Sequence, residues 1–125
     1  MPIDATQPYD DSNIFARILR GELPSKTVYN DEFALAFHDI NPQTPLHILV
    51  IPKGAYVSWD DFSARASDAE IAGFVRAVGQ VARDAGLVEP GYRLLANTGL
   101  DSHQEVPHLH VHIFAGRKLG PMLAR

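Results

Sequence analysis

The sequence predicts an α+β domain built on an antiparallel sheet. Three observations carry this. Stretches that alternate apolar and polar residues are joined by short turns rich in proline and glycine. One long run has the period of an amphipathic helix behind a Ser-x-x-Glu capping box. No repeat or linker divides the 125 residues, a length suited to one domain. Residues 1–12 read as a loose N-terminal arm and residues 13–125 as the domain.

After the arm, Asp11 or Ser12 is placed to cap a short helix through NIFARILRGE. In it Ile14, Phe15, Ile18 and Leu19 recur at spacings of three and four, and Gly21 stops it. EFALAFHDI then alternates: Phe33, Leu35 and Phe37 face one way, Ala34, Ala36 and His38 the other, as in a strand. NPQTP is a turn that leads into the β-branched strand LHILVIP, where His47, Leu49 and Ile51 share a face. Ser67 and Glu70 open the longest helix, with the stripe Ile71, Phe74, Val75, Val78 and Ala82 and a glycine stop at Gly86. YRLLAN is a strand, NTGLDS a loop and HLHVHIF the last strand, followed by a surface tail, GRKLGPMLAR. That is one short helix, one long helix and four strands.

Apolar residues make up 46% of the chain and charged residues 21%, the balance of a globular protein. The net charge of −4 argues against a nucleic-acid polymer as partner, which needs a positively charged surface. It leaves room for a small anion held by local donors. The absence of cysteine removes disulfides, thiolate zinc sites and a thiol nucleophile, and fits a reducing compartment. The N-terminus has no basic and apolar leader pattern, and no apolar run is long enough to span a bilayer. A cytoplasmic protein with no membrane partner is expected.

Composition leaves the histidines unexplained: six in the chain, four of them between His103 and His112. In HLHVHIF, His108, His110 and His112 alternate with Leu109, Val111 and Ile113, so a strand presents three imidazoles on one face. A lone histidine such as His38 is most simply structural. Three on one face are not, because each half-buried ring needs a partner. Two chemistries suit them. Neutral imidazoles bind zinc, with Glu105 or Asp101 near enough to complete a site. Alternatively one imidazole attacks an electrophilic phosphorus while its neighbours orient it and bind charge. Spacing alone leaves both open.

The run Gln104-Glu105-Val106-Pro107-His108-Leu109-His110-Val111-His112 resembles the Q-x-V-x-H-x-H-x-H signature of the histidine triad (HIT) superfamily. NIFARILRGELPSKTVYND, LAFHDINPQTPLHILVIPK, GYRLLANTG and AGRKLGPM resemble, in the same order, segments of its Hint branch, the histidine triad nucleotide-binding proteins. The resemblance covers about residues 13 to 122. It implies a HIT-like sheet of about five strands, pairing through the long helix and an edge strand into a ten-stranded sheet in a homodimer. It also implies a purine nucleotide-binding hydrolase of nucleoside 5′-phosphoramidates and acyl-adenylates, working on conjugates of AMP without a cofactor.

By position, His110 resembles the family's nucleophile, His112 its phosphate-binding partner, and His108 the residue whose carbonyl holds the nucleophile's other ring nitrogen. His47 resembles a supporting histidine from a neighbouring strand. Asp39 resembles the carboxylate that binds the ribose hydroxyls. Phe15, Ile18, Phe37, Ile40 and Leu49 resemble the base pocket, with Asn97 and Gln104 among the nucleotide-binding positions. Glu105 stands where the family often has a serine that donates to the leaving group; only a protonated carboxyl can do so. His103 replaces a glycine, which bears on loop geometry and substrate fit. Asn13 and Ala16 occupy the places of a Cys-x-x-Cys zinc site found in some relatives, so no metal is expected. Ala115-Gly116-Arg117 favours the Hint branch over the dinucleoside polyphosphate hydrolases, which remain an alternative beside a non-catalytic nucleotide-binding protein and a metallohydrolase using His108, His110 and Glu105.

Overall fold

In the computed structural model, residues 1–123 are described; Ala124 and Arg125, the end of the expected domain and tail, lie outside the described residues. Five strands form one antiparallel sheet in the order β1–β2–β3–β5–β4: β1 Thr27–Asn30, β2 Ala34–His38, β3 Leu46–Pro52, β4 Arg93–Leu95 and β5 Val111–Ala115. Period-two alternation gives the sheet two different faces. Ala34, Ala36, Ile48, Val50, Val111 and Ile113 pack under the long helix α3, Asp68–Asp84. Leu35, Phe37, Leu49 and Ile51 face the other way and pack with Phe15 of α1, Ile14–Leu19.

Helix α3 begins as its sequence predicts. The Ser67 side chain accepts from the Glu70 amide at 3.1 Å, and the Glu70 carboxylate accepts from the Ser67 amide at 3.1 Å. Phe74, Ala77, Val78, Val81 and Ala82 are buried, and Gly86 takes φ +71° just past the helix end. Val75, expected in the buried stripe, is exposed. It lies next to Phe74 on the turn of the helix that rotates away from the sheet. Ser67→Ala removes one half of the box, and a loss of about 1 kcal/mol of stability is expected in urea unfolding.

Four further details depart from the sequence-based expectation. A third helix, α2 (Trp59–Arg65), precedes α3; at seven residues it is too short to show a periodic stripe, though Ser58 caps it and Asp60 and Asp61 fill its first turn. The strand β1 was not among the four read from alternation, because its four residues form an edge with only Tyr29 partly buried. The cap of α1 is Asn13, whose Oδ1 accepts from the Ala16 amide at 2.9 Å, rather than Asp11 or Ser12, and Ile14 is exposed. Phe33 lies against α3 rather than beside Leu35: a Cβ on Gly73 would stand 2.2 Å from its ring.

The last strand is shorter than HLHVHIF. Residues 108–110 approach the sheet without pairing, after Pro107, which has no amide to donate, and with the Leu109 amide bound to the Tyr56 carbonyl at 2.8 Å. The alternation of side chains still holds, since Leu109 joins the core under α3. After β5, Gly116 has φ +98°, and a Cβ there would meet Pro45 at 2.8 Å. His38 is exposed at the end of β2. Among the described residues no helix is long and apolar enough to cross a membrane.

Candidate active site

The face of the sheet away from α3 carries the histidines. Their ring nitrogens form two chains of hydrogen bonds whose directions follow from which partners can only donate or only accept. In the first chain, the Pro52 carbonyl lies 2.8 Å from His108 Nε2, so that nitrogen carries the proton. His108 Nδ1 is then an acceptor, and the Tyr9 hydroxyl donates to it at 2.6 Å. The His108 main-chain carbonyl lies 2.8 Å from His110 Nδ1, which must donate. The neutral His110 ring therefore has its lone pair on Nε2.

The second chain gives the opposite result. The Gln43 amide donates to His47 Nδ1 at 3.1 Å, so the proton of neutral His47 lies on Nε2. That nitrogen is 2.9 Å from His112 Nδ1, which accepts. The neutral His112 ring then carries its proton on Nε2. Each of these two rings is hydrogen-bonded through Nδ1, which leaves Nε2 of His110 and Nε2 of His112 without a hydrogen-bond partner among the described residues, and their ring centroids are 5.0 Å apart. One offers an electron pair and the other a hydrogen-bond donor.

Burial keeps these rings neutral. It pushes His108 down to about 4, with nearby His110 acting in the same direction and the Pro52 carbonyl opposing. Burial lowers His112 to about 3, helped by His110 and His47. His110 is also lowered by burial, while the His108 carbonyl and the Asp39 and Glu105 carboxylates pull it back up. His47 is lowered by burial against the pull of Asp39.

Around the rings the structure brings together most of the residues singled out in the sequence. Phe15 meets His110 edge-on at 5.0 Å and Phe37 at 5.6 Å. Leu49 and the partly buried Ile18 belong to the same apolar cluster. Asp39 Oδ2 is 3.5 Å from His47 Nε2, and its other oxygen accepts from the Asn41 amide at 2.8 Å, so it shapes the turn as well. A cleft of about 500 Å³ opens beside Asp39 and His47 and includes Ile40, which is 88% exposed and packs into no apolar cluster. Asn97 follows β4, whose Leu95 pairs with His112, and is partly buried.

Gln104 differs from the expectation of a nucleotide contact. It is 1% exposed. Its oxygen accepts from the Gly99 amide at 2.9 Å, and its nitrogen donates to the carbonyls of Val57 at 2.7 Å and Val106 at 3.0 Å. It clamps the loop before the triad. Within that loop His103 holds φ +63°, the left-handed conformation that favours glycine. Its exposed ring lies 3.3 Å from the exposed Glu105 carboxylate.

For a metal, Asp39, His47 and His112 offer ligand atoms within 4.8 Å of one another. The His47 and His112 atoms are already hydrogen-bonded to each other, and a cation there would have to replace that bond. The set His108, His110 and Glu105 fits less well, since both ring nitrogens of His108 are occupied. Sequence reasoning missed Tyr9, the Pro52 carbonyl and the Gln43 amide. The only local signal for Tyr9 is that it is the sole aromatic in the arm.

Comparison with known proteins agrees with this architecture. Residues 20–119 match the family model described as the HIT domain. A 13.2 kDa HIT-like protein of Azospirillum brasilense is 71% identical, over 94% of this chain and 96% of its own length. A protein of Escherichia coli named purine nucleoside phosphoramidase is 43% identical over 91% of this chain and 95% of its own. The solved structure of a histidine triad protein from Clostridium difficile superposes with a TM-score of 0.80 at 40% identity, covering 91% of this chain and 98% of that one. On the triad that leads into β5, the five-stranded sheet and these matches together, the chain belongs to the HIT domain family.

Proposed function

We propose that the protein binds a purine nucleotide, an AMP conjugate in particular, and hydrolyses the bond between its α-phosphate and an amine, as a nucleoside 5′-phosphoramidase. One observation carries the reading: His110 and His112 present adjacent Nε2 atoms in opposite states, lone pair and N–H. His110 Nε2 attacks the α-phosphorus, the phosphorus–nitrogen bond breaks, and the amine departs with a proton. Water then attacks the nucleotidyl-histidine adduct, releasing the nucleotide and restoring the ring. His112 Nε2–H donates to a phosphate oxygen where negative charge develops. His47 sets the tautomer of His112, and His108 sets that of His110.

Phe15, Ile18, Phe37 and Leu49 form an apolar cluster suited to the base, with the exposed Ile40 in the cleft beside Asp39 free to close on it, Asp39 assigned to the ribose hydroxyls and Asn97 to the phosphate side. Glu105, in the loop before the triad, delivers a proton to the leaving amine only in its protonated form. A carboxylate leaving group, expelled when the phosphorus–oxygen bond of an acyl-adenylate breaks, needs no such proton, and acyl-adenylates are a second substrate class of the same site. The test is turnover of an adenosine 5′-phosphoramidate, an acyl-adenylate and a dinucleoside polyphosphate, each with and without chelator. Chelator-resistant turnover of the first is expected. Binding of AMP without turnover of any substrate would favour a non-catalytic nucleotide-binding protein, and loss on chelation a metal-dependent one. The cysteine-free chain suits a cytoplasmic setting.

The same reading includes a homodimer. Edge strand β4 has a neighbour on one side only. Beside it an apolar cavity of about 610 Å³ runs to α3, lined by Trp59, Val75, Val78, Tyr92 and Leu94 among others. Trp59, Val75 and Leu94 are exposed there. A second copy pairing β4 to β4 and α3 to α3 would cover this surface and continue the sheet to ten strands. Light scattering at micromolar concentration is expected to give twice the chain mass; a monomer would refute the pairing.

A further inference from the structure

We propose that Tyr9, in the segment ahead of α1, is a positioning residue of the triad: its hydroxyl locks the His108 ring, and through the His108 carbonyl it orients His110. The inference rests on His110 being the nucleophile. Tyr9 and His108 are 99 positions apart in sequence, yet the hydroxyl lies 2.6 Å from Nδ1 and the two rings meet edge-on at 5.6 Å. His108 is 0% exposed. With Pro52 accepting at Nε2 and Tyr9 donating at Nδ1, both ring nitrogens are paired, each in one direction only. That arrangement admits one tautomer and one ring orientation.

The consequence reaches His110 because the ring and the carbonyl belong to the same residue. Residues 108–110 have no ladder partner, so the His108 main chain is held by its side chain and by the Leu109 amide bond to Tyr56. The His108 carbonyl then accepts the hydrogen bond donated by His110 Nδ1–H. Without the Tyr9 hydroxyl, His108 Nδ1 is a buried acceptor with no donor. The ring can relieve this by turning or by admitting water, and either change moves the carbonyl that orients His110. The segment bearing Tyr9 is tied at its far end too: the Ile3 amide donates to the Gln104 carbonyl at 2.7 Å, joining the arm to the loop that precedes the triad. Burial raises the Tyr9 phenol above its ordinary value, so it stays a donor at neutral pH.

The test is Tyr9→Phe, which keeps the ring and deletes only the hydroxyl. Imidazole nitrogen NMR on both proteins reads the tautomers of His108 and His110 without any substrate. Steady-state kinetics on the phosphoramidate reads the chemistry. The expected result is a shifted His108 Nδ1 resonance, a His110 population that no longer has Nε2 wholly unprotonated, and kcat lowered roughly five- to tenfold with KM within twofold. Restoring a donor with Tyr9→His should recover part of the His108 shift. Unchanged His108 and His110 resonances in Tyr9→Phe overturn the inference, as does wild-type kcat in a variant with unchanged His110. If the wild-type protein turns over no substrate, the catalytic reading fails, while the NMR comparison still decides whether Tyr9 governs the two rings.

Discussion

His110→Ala is expected to lower kcat on an adenosine 5′-phosphoramidate by at least about a thousandfold while the protein still binds AMP. The expectation comes from the separation of duties between the two free Nε2 atoms. In the proposed mechanism His110 supplies the lone pair, and among the described residues its neighbour His112 cannot replace it, because its proton lies on Nε2. Loss of the nucleophile removes the covalent route, whereas loss of a donor only weakens charge stabilisation. His112→Ala is accordingly the milder change, at about a hundredfold or more. Rapid quench and intact-mass analysis check the assignment independently of rate: the wild-type protein should carry a nucleotidyl adduct during turnover, and His110→Ala none. Wild-type-like turnover by His110→Ala would remove His110 as the nucleophile.

Acid is expected to destabilise the fold well before its carboxylates are protonated. The ring of His108 is held down to about 4 when folded, against an ordinary value of 6.5 in the unfolded chain. Above pH 6.5 the ring is neutral in both states and its contribution is fully present. As the pH falls below 6.5 the unfolded chain takes up a proton that the folded protein refuses. Stability is lost at about 1.4 kcal/mol per pH unit until the folded ring also titrates near pH 4. The total for His108 is about 3 kcal/mol, a large share of a typical 5–15 kcal/mol. His112, held at about 3, acts in the same direction over a longer range, and the lowered His47 and His110 add to it. Because His112 lies against both His47 and His110, and the charge of His110 acts on His108, their effects do not sum. Urea midpoints at pH 7, 5.5 and 4.5 should fall steadily, and His108→Asn should flatten the slope. A flat wild-type profile would mean that these rings are not held neutral.

Much of this protein is legible in its residues. The Ser67–Glu70 box and Gly86 mark the ends of α3 because capping depends on neighbours three or four positions away. The two faces of β2 and β3 follow from strict alternation of Leu35 and Phe37 with Ala34 and Ala36. What failed to show were elements too short to have a period: β1 with four residues and α2 with seven. The structural part played by Gln104 is hidden for a different reason. Its place in the signature suggests contact with a ligand, but its three hydrogen bonds go to Gly99, Val57 and Val106, and one of these lies 47 positions away.

The sequence by itself determined that three imidazoles share one side of a segment and three aliphatic residues the other, since that depends only on the two-residue repeat of extended chain. It also determined the HIT family, through the order of residues around the triad. The tertiary structure alone decided what each ring can do. The proton positions on His108 and His112 are dictated by Pro52, Tyr9 and His47 across 56, 99 and 65 positions, and the local bond from His110 Nδ1 to the His108 carbonyl depends on where those distant contacts hold His108. A tautomer is chosen by the nearest donor or acceptor in space, and local sequence holds no information about a partner that arrives from another strand or from the N-terminal arm.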